Sequence, residues 1–133
     1  MCLLDAVREW SGEAITCTAS SHTDPANPLR ADGRLGAANG IEYAAQAMAI
    51  HGALLASSDD QPRQGYLTSV RSVTLHTARL DDLPGELLVH AERLSGDTNN
   101  ILYQFSVSHA DRCLLEGRAA VVLDARTLSK EQP

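Results

Sequence analysis

At 133 residues the chain has the size of one domain, and with 44% hydrophobic residues it can bury a substantial core. Seventeen acidic against eleven basic side chains leave a formal net charge of −6, which argues against a nucleic-acid or anionic-membrane surface. No run approaches the roughly 18 to 20 apolar residues that a membrane span requires.

The start, MCLLDAVREW, is too short and too acidic for a secretion signal. Within it, Leu3, Leu4, Val7 and Trp10 recur at helical spacing, enough for a turn or two over residues 3–10. Residues 13–20 (EAITCTAS) are rich in β-branched side chains and read as a first strand. His22 closes that strand and opens a loop, which the Pro, Gly and Asp content extends from Pro25 to Gly36. From Gly40 to Ala56 the run is dominated by Ala, Leu, Ile and Met, and a long helix is expected, stopped by SSDDQPRQG. After Gly65 the period falls to two. YLTSVRSVTLHTARL is a strand with a bulge or bend between Val70 and Val73. ELLVHAERL is the next, and ILYQFSVSH alternates cleanly, with Ile101, Tyr103, Phe105 and Val107 on one face. CLLEGRAAVVL is the last, with a bend at Gly117. Pro84-Gly85 and Gly96-Asp97 supply turns, and the tail SKEQP reads as a frayed end.

A helix that is apolar almost all round has to be wrapped by other structure. Four or five antiparallel strands curling around one such helix make a hot-dog arrangement, so the class expected is α+β, in a single domain over residues 1–133. Cys2, Cys17 and Cys113 are odd in number and lack metal-like spacing. They read as reduced thiols in a cytoplasm, with neither a zinc nor a disulfide framework.

The chemistry centres on Glu42, a carboxylate near the start of the apolar helix. Wrapping the helix would take water from it, and desolvation favours the protonated form, which can serve as a general acid. Asn39-Gly-Ile-Glu42 also fits a capping box, with Asn39 as N-cap and Glu42 at the third helical position. The two readings are compatible, since a first-turn carboxyl can cap and still face a cleft. A lone loop histidine such as His22 is more often surface than catalyst. His51, nine residues after Glu42, falls on the opposite side of the helix. His76, His90 and His109 lie on strands in no catalytic pattern. There is no GxSxG elbow and no phosphate-cradling glycine loop.

His22, the proline-rich loop, and Gly40-Ile41-Glu42-Tyr43-Ala44-Ala45-Gln46 resemble the β-hydroxyacyl-ACP dehydratases, in which a loop histidine precedes a hot-dog helix beginning E-A-x-A-Q. The similarity is greatest to a subgroup of small 3-hydroxyacyl-ACP dehydratases of aryl-polyene-type lipid pathways. Its hallmark resembles H-x-D-P-x-N-P-L-R, here His22, Asp24, Pro25, Asn27, Pro28, Leu29 and Arg30. GYLTSVRSVTL and GRAAVVL look like strands of the same family. Two departures are the longer connection from His22 to Glu42 and the replacement of an HFPG-type turn by HTDP.

The resemblance implies a 3-hydroxyacyl thioester substrate, on an acyl carrier protein or on coenzyme A. His22 would take the C2 proton and Glu42 would protonate the leaving C3 hydroxyl, giving a trans-2-enoyl thioester. Asn39, Gly40 and Gln46 would bind substrate, the helix start offering N–H donors to the thioester carbonyl. It also implies a homodimer, or a trimer of dimers, with the two catalytic residues from different subunits, and no metal or redox cofactor. An acidic chain docking an acidic carrier needs a local basic patch, for which Arg30 and Arg34, with Arg63 and Arg71, are candidates. The rival readings are a hot-dog acyl-thioesterase, which could dispense with His22, and a non-catalytic acyl-binding module.

Overall fold

The computed structural model describes residues 2–55, 65–96 and 100–123. Six strands, β1 (Ala6–Trp10), β2 (Ala14–Ala19), β3 (Gly65–Leu75), β4 (Leu87–Gly96), β5 (Asn100–His109) and β6 (Arg112–Leu123), form one antiparallel sheet. Its strand order is β1-β2-β4-β5-β6-β3. Among the described residues one long helix, α1 (Gly40–Leu55), lies on one face. This is the hot-dog arrangement expected from the element order.

The sheet is two-faced because its strands alternate. Ile15, Cys17 and Ala19 of β2, Leu87, Val89 and Ala91 of β4, and Ile101, Tyr103, Phe105 and Val107 of β5 are all buried. The residues between them face outward. Tyr43, Ala44, Ala47, Met48 and His51 form the helix face buried against this surface, the alanines letting the helix sit close. The opposite side of α1 is open in the single chain, with Glu42, Ala49 and Ala53 exposed along one stripe. The helix is therefore covered on one side by its own sheet and is not wrapped all round.

One local expectation fails for a tertiary reason. Residues 6–10 are a strand, not a helical turn: β1 pairs with β2 from Ala6↔Thr18 to Trp10↔Ile15, with an irregularity between Val7 and Glu9. The hairpin is closed by Ser11, whose Oγ accepts from the N–H groups of Glu13 and Ala14 at 3.2 Å each. An available sheet edge outweighs a short stretch at helical spacing. Gly117 lies inside β6, as the expected last strand has it. A Cβ there would lie 2.9 Å from Val73 Cγ2 and 3.0 Å from Phe105 Cζ, so the glycine serves close packing of β3 against β6. The irregularity expected between Val70 and Val73 is present as a register shift between Arg71 and Thr74, with Ser72 at φ +57°. Gly85 takes φ +87° in the turn before β4. The expected helix stop, the turn at Asp97, Arg63 and the tail SKEQP fall outside the described residues. No helix among the described residues is long and apolar enough to cross a membrane.

Candidate active site

The segment between β2 and α1 is built from successive turns. Ser21–Thr23 is a 3-10 turn. Asp24 Oδ1 accepts from the Ala26 N–H at 2.9 Å, and Asn27 Oδ1 from the Leu29 N–H at 2.8 Å. Such Asx turns let short polar side chains replace backbone pairing. Leu35 N–H donates to Asp81 Oδ1 at 2.8 Å. The Arg79 guanidinium binds the same carboxylate and, with Leu35, holds it well below the usual carboxylate range. The far end of the segment is thereby pinned beside the β3–β4 connection.

His22 points inward and is fully buried. Its Nε2 lies 2.8 Å from the Leu83 carbonyl. A carbonyl only accepts, so Nε2 carries the hydrogen and Nδ1 carries the lone pair. That Nδ1 is buried with no hydrogen-bond partner among the described residues. Buried polar atoms are nearly always paired, and exceptions concentrate where chemistry is done. Burial is the main force lowering the basicity of His22 below the usual 6.5; His109 and Arg30 add to it, and the Leu83 carbonyl opposes it. The ring is neutral at pH 7, with one bare lone pair.

A directional chain of hydroxyls ties this histidine to the helix. Ser21 Oγ donates to the Leu3 carbonyl at 2.9 Å, so at 2.7 Å it accepts from the Tyr43 hydroxyl. Tyr43 in turn accepts from Asn27 Nδ2 at 3.1 Å, and that amide also donates to the Ser21 carbonyl at 2.9 Å. Tyr43 and Asn27 are both buried. The residue before His22 is thus locked to the residue after Glu42. The sequence alone assigns no role to Tyr43, Asn27 or Leu83. Asn27 and Tyr43 each carried a signal, as members of the HxDPxNPLR stretch and of the helix-start stretch Gly40–Gln46.

Glu42 itself is exposed in the single chain, so its own fold does not remove water from it. The capping box is not formed as expected. A 3-10 turn, Ala37–Asn39, runs directly into α1, the extended N-cap residue is Gly36, and Asn39 Nδ2 donates to the Gly36 carbonyl at 3.2 Å. Gly40 is buried, and a Cβ there would lie 2.6 Å from Leu115 Cδ2, so its missing side chain lets the helix start approach β6. Gln46 Oε1 accepts from the Leu3 N–H at 2.7 Å, holding the N-terminal segment on the helix. Arg30 is turned into its own loop, Nη1 donating to the Gly33 carbonyl at 3.0 Å and Nη2 to the His22 carbonyl at 3.1 Å. Arg34 and Arg71 are exposed.

The remaining histidines have structural partners. His51 is buried with both nitrogens used: Nε2–H donates to the Ser11 carbonyl at 2.8 Å, and Nδ1 accepts from the Tyr103 hydroxyl at 2.7 Å. His90 Nδ1 meets Thr16 Oγ1 at 2.9 Å. His109 Nε2 donates to the Pro84 carbonyl at 2.5 Å, next to the carbonyl that His22 uses.

The chain is similar in structure to the dehydratase heterocomplex ApeI:P from Xenorhabdus doucetiae, with a TM-score of 0.80 and 22% identity, covering 94% of this chain and 84% of that one. A thioesterase from Haemophilus influenzae gives a TM-score of 0.65 at 10% identity, covering 89% and 76% of the two chains. One from Staphylococcus aureus gives 0.69 at 12%, covering 90% and 92%. These likenesses establish the fold, which dehydratases and thioesterases share. No curated protein matches the sequence significantly. The family profile decides between them: residues 1–130 match the ApeP-like family, described as ApeP dehydratase. The chain belongs to the ApeP-like dehydratase family and is a hydro-lyase.

Proposed function

We propose that the protein eliminates water from a 3-hydroxyacyl thioester, with His22 as base and Glu42 as acid. The observation that carries this is the bare, buried Nδ1 of His22, whose partner nitrogen is committed to the Leu83 carbonyl. A neutral imidazole fixed in one tautomer is the form that can accept a proton. The thioester carbonyl acidifies C2–H. His22 Nδ1 takes that proton, the C2–H electrons form the C2=C3 double bond, and the C3–O bond breaks. The leaving hydroxyl takes the carboxyl proton of Glu42 and departs as water, giving a trans-2-enoyl thioester. Return of the proton from imidazolium to carboxylate, through the departing water, resets the pair.

Two subunits are needed for this geometry. In the single chain His22 is enclosed while Glu42 stands on the open stripe of α1 with Ala49 and Ala53. A second copy laid on that stripe would desolvate the carboxyl, the condition under which a carboxylic acid keeps its proton. It would also set the Glu42 of one subunit toward the enclosed His22 of the other, with the acyl chain entering between them. The positive end of the helix dipole at Asn39 and Gly40, whose own N–H groups are bonded to the Gly36 and Ala37 carbonyls, favours developing charge on the thioester oxygen, and Gln46 lies about one turn beyond Glu42. For an acidic carrier protein, Arg34 offers an exposed cation on the loop after His22, whereas Arg30 is turned into that loop.

The test is to supply 3-hydroxyacyl thioesters on pantetheine, on coenzyme A and on carrier protein, following enoyl absorbance and free thiol together. Enoyl product without thiol release is expected, with R34E lowering kcat/KM on the carrier-bound substrate only. Thiol release without enoyl product, or no turnover of any of the three, overturns the reading. A chain active only when mixed with a second dehydratase subunit overturns the homodimer.

A further inference from the structure

On the outer face of the sheet, three potential metal ligands meet that the dehydration chemistry does not use. His76 Nε2 lies 3.0 Å from Glu116 Oε2. With Cys113 Sγ these donor atoms all fall within 4.8 Å of one another. Two ladder irregularities assemble the group. In β6, Ser108↔Cys113 and Val107↔Leu115 are successive pairs against β5, so Leu114 is an extra residue. Leu114 and Leu115 are consequently buried side by side. This sends Cys113 and Glu116, three apart, to the same outer face, where strict alternation would separate them. In β3, the shift between Arg71 and Thr74 sets Thr74 opposite Glu116, and His76 follows directly on the strand's last residue, Leu75, where its side chain reaches the same carboxylate. The His76 N–H still donates to the Leu114 carbonyl at 2.7 Å, so the backbone under the imidazole is held to β6.

We propose that His76, Cys113 and Glu116 bind a divalent transition-metal ion of the zinc type, water completing four-coordination. One thiolate and one carboxylate balance the two positive charges, and imidazole with thiolate is a donor set suited to such borderline ions. Tetrahedral coordination needs ligand atoms roughly 3.3–3.8 Å apart. The His–Glu pair is already closer than that, and the half-exposed side chains, His76 at 41% and Glu116 at 44%, can rotate the remaining distance. On binding, Nε2 gives up the hydrogen it shares with Glu116, the imidazole proton settling on Nδ1, and Cys113 releases its thiol proton to solvent. The ion clamps β3 to β6 at the place where the ladder is irregular. Arg112 Nη2, at 3.3 Å from the His76 carbonyl, flanks the site without occupying a ligand position.

Cobalt(II) titration of the full, reduced chain tests this, with zinc displacement as the second readout. One cobalt per chain with a sulfur-to-metal charge-transfer band is expected, bleached by zinc. C113S, a near-isosteric change, should abolish the band, H76Q and E116Q should each weaken binding at least tenfold, and C2S should leave it intact. No band in the wild-type chain overturns the proposal. So does a band that survives C113S, or one that ignores both H76Q and E116Q. Far-UV circular dichroism confirms that each variant is folded.

Discussion

Replacing Tyr43 by Phe removes one oxygen from the middle of the chain running Asn27, Tyr43, Ser21, Leu3. The ring still fills its buried place, so no cavity forms. What changes is the hydrogen-bond count. Asn27 Nδ2 keeps its bond to the Ser21 carbonyl but loses the acceptor of its other hydrogen, and Asn27 is only 3% exposed. Ser21 Oγ keeps its donation to Leu3 and loses a donor. One buried donor left without an acceptor costs about 1–3 kcal/mol. Urea unfolding followed by tryptophan fluorescence should show a drop of that size, with the denaturant slope unchanged. Because the lost bond is shared, Y43F and N27A should couple in a double-mutant cycle by about 1 kcal/mol, the double variant being less damaged than the sum. Looser anchoring of Ser21 should also lower kcat more than it raises KM. A cost below about 0.5 kcal/mol, or strict additivity with N27A, would refute the relay.

Gly117→Ala should destabilise by about 1–3 kcal/mol, read as a lower urea midpoint, because the new methyl meets Val73 and the fully packed Phe105 ring. The depressed basicity of His22 makes a pH statement with a definite sign. The folded state binds a proton there less readily than the unfolded chain, whose value is near 6.5. Its contribution to stability is therefore whole above pH 6.5 and is lost as pH falls from there through the lower folded value. His22→Gln should flatten that part of the stability-versus-pH curve. For the same reason the acid limb of kcat/KM is expected below pH 6.5, and a limb above it would show that another group is the base.

Much of the fold was legible because its signals are local and strong. The alternation of Ile101, Tyr103, Phe105 and Val107 and the alanine-rich helix each determine their own element, and together they leave few architectures. Residues 6–10 were misread since a five-residue strand on a sheet edge owes its form to its neighbour, not to its own sequence. The close approach of Val73 and Phe105 to Gly117 was not legible because it depends on residues distant in the chain. At the site, His22 and Glu42 could be picked out by residue type and by resemblance, but their surroundings could not. That His22 is enclosed, that one nitrogen is spent on Leu83, and that Glu42 faces away from its own sheet all follow from packing. The meeting of His76 with Cys113 and Glu116 was invisible for a related reason: it depends on two irregularities in strand pairing, which spacing alone does not reveal.

The most direct test of the shared acid–base pair is subunit complementation. H22A and E42Q are each purified, assayed for enoyl formation, then co-denatured, refolded as a mixture and assayed again. Each variant alone should be slower by roughly 10²–10⁴-fold. In the mixture, half of the dimers are hybrids in which one of the two sites is intact, so about a quarter of wild-type activity should return. Undiminished turnover by either single variant, or a mixture as inactive as its parts, would contradict a site built from His22 of one subunit and Glu42 of the other.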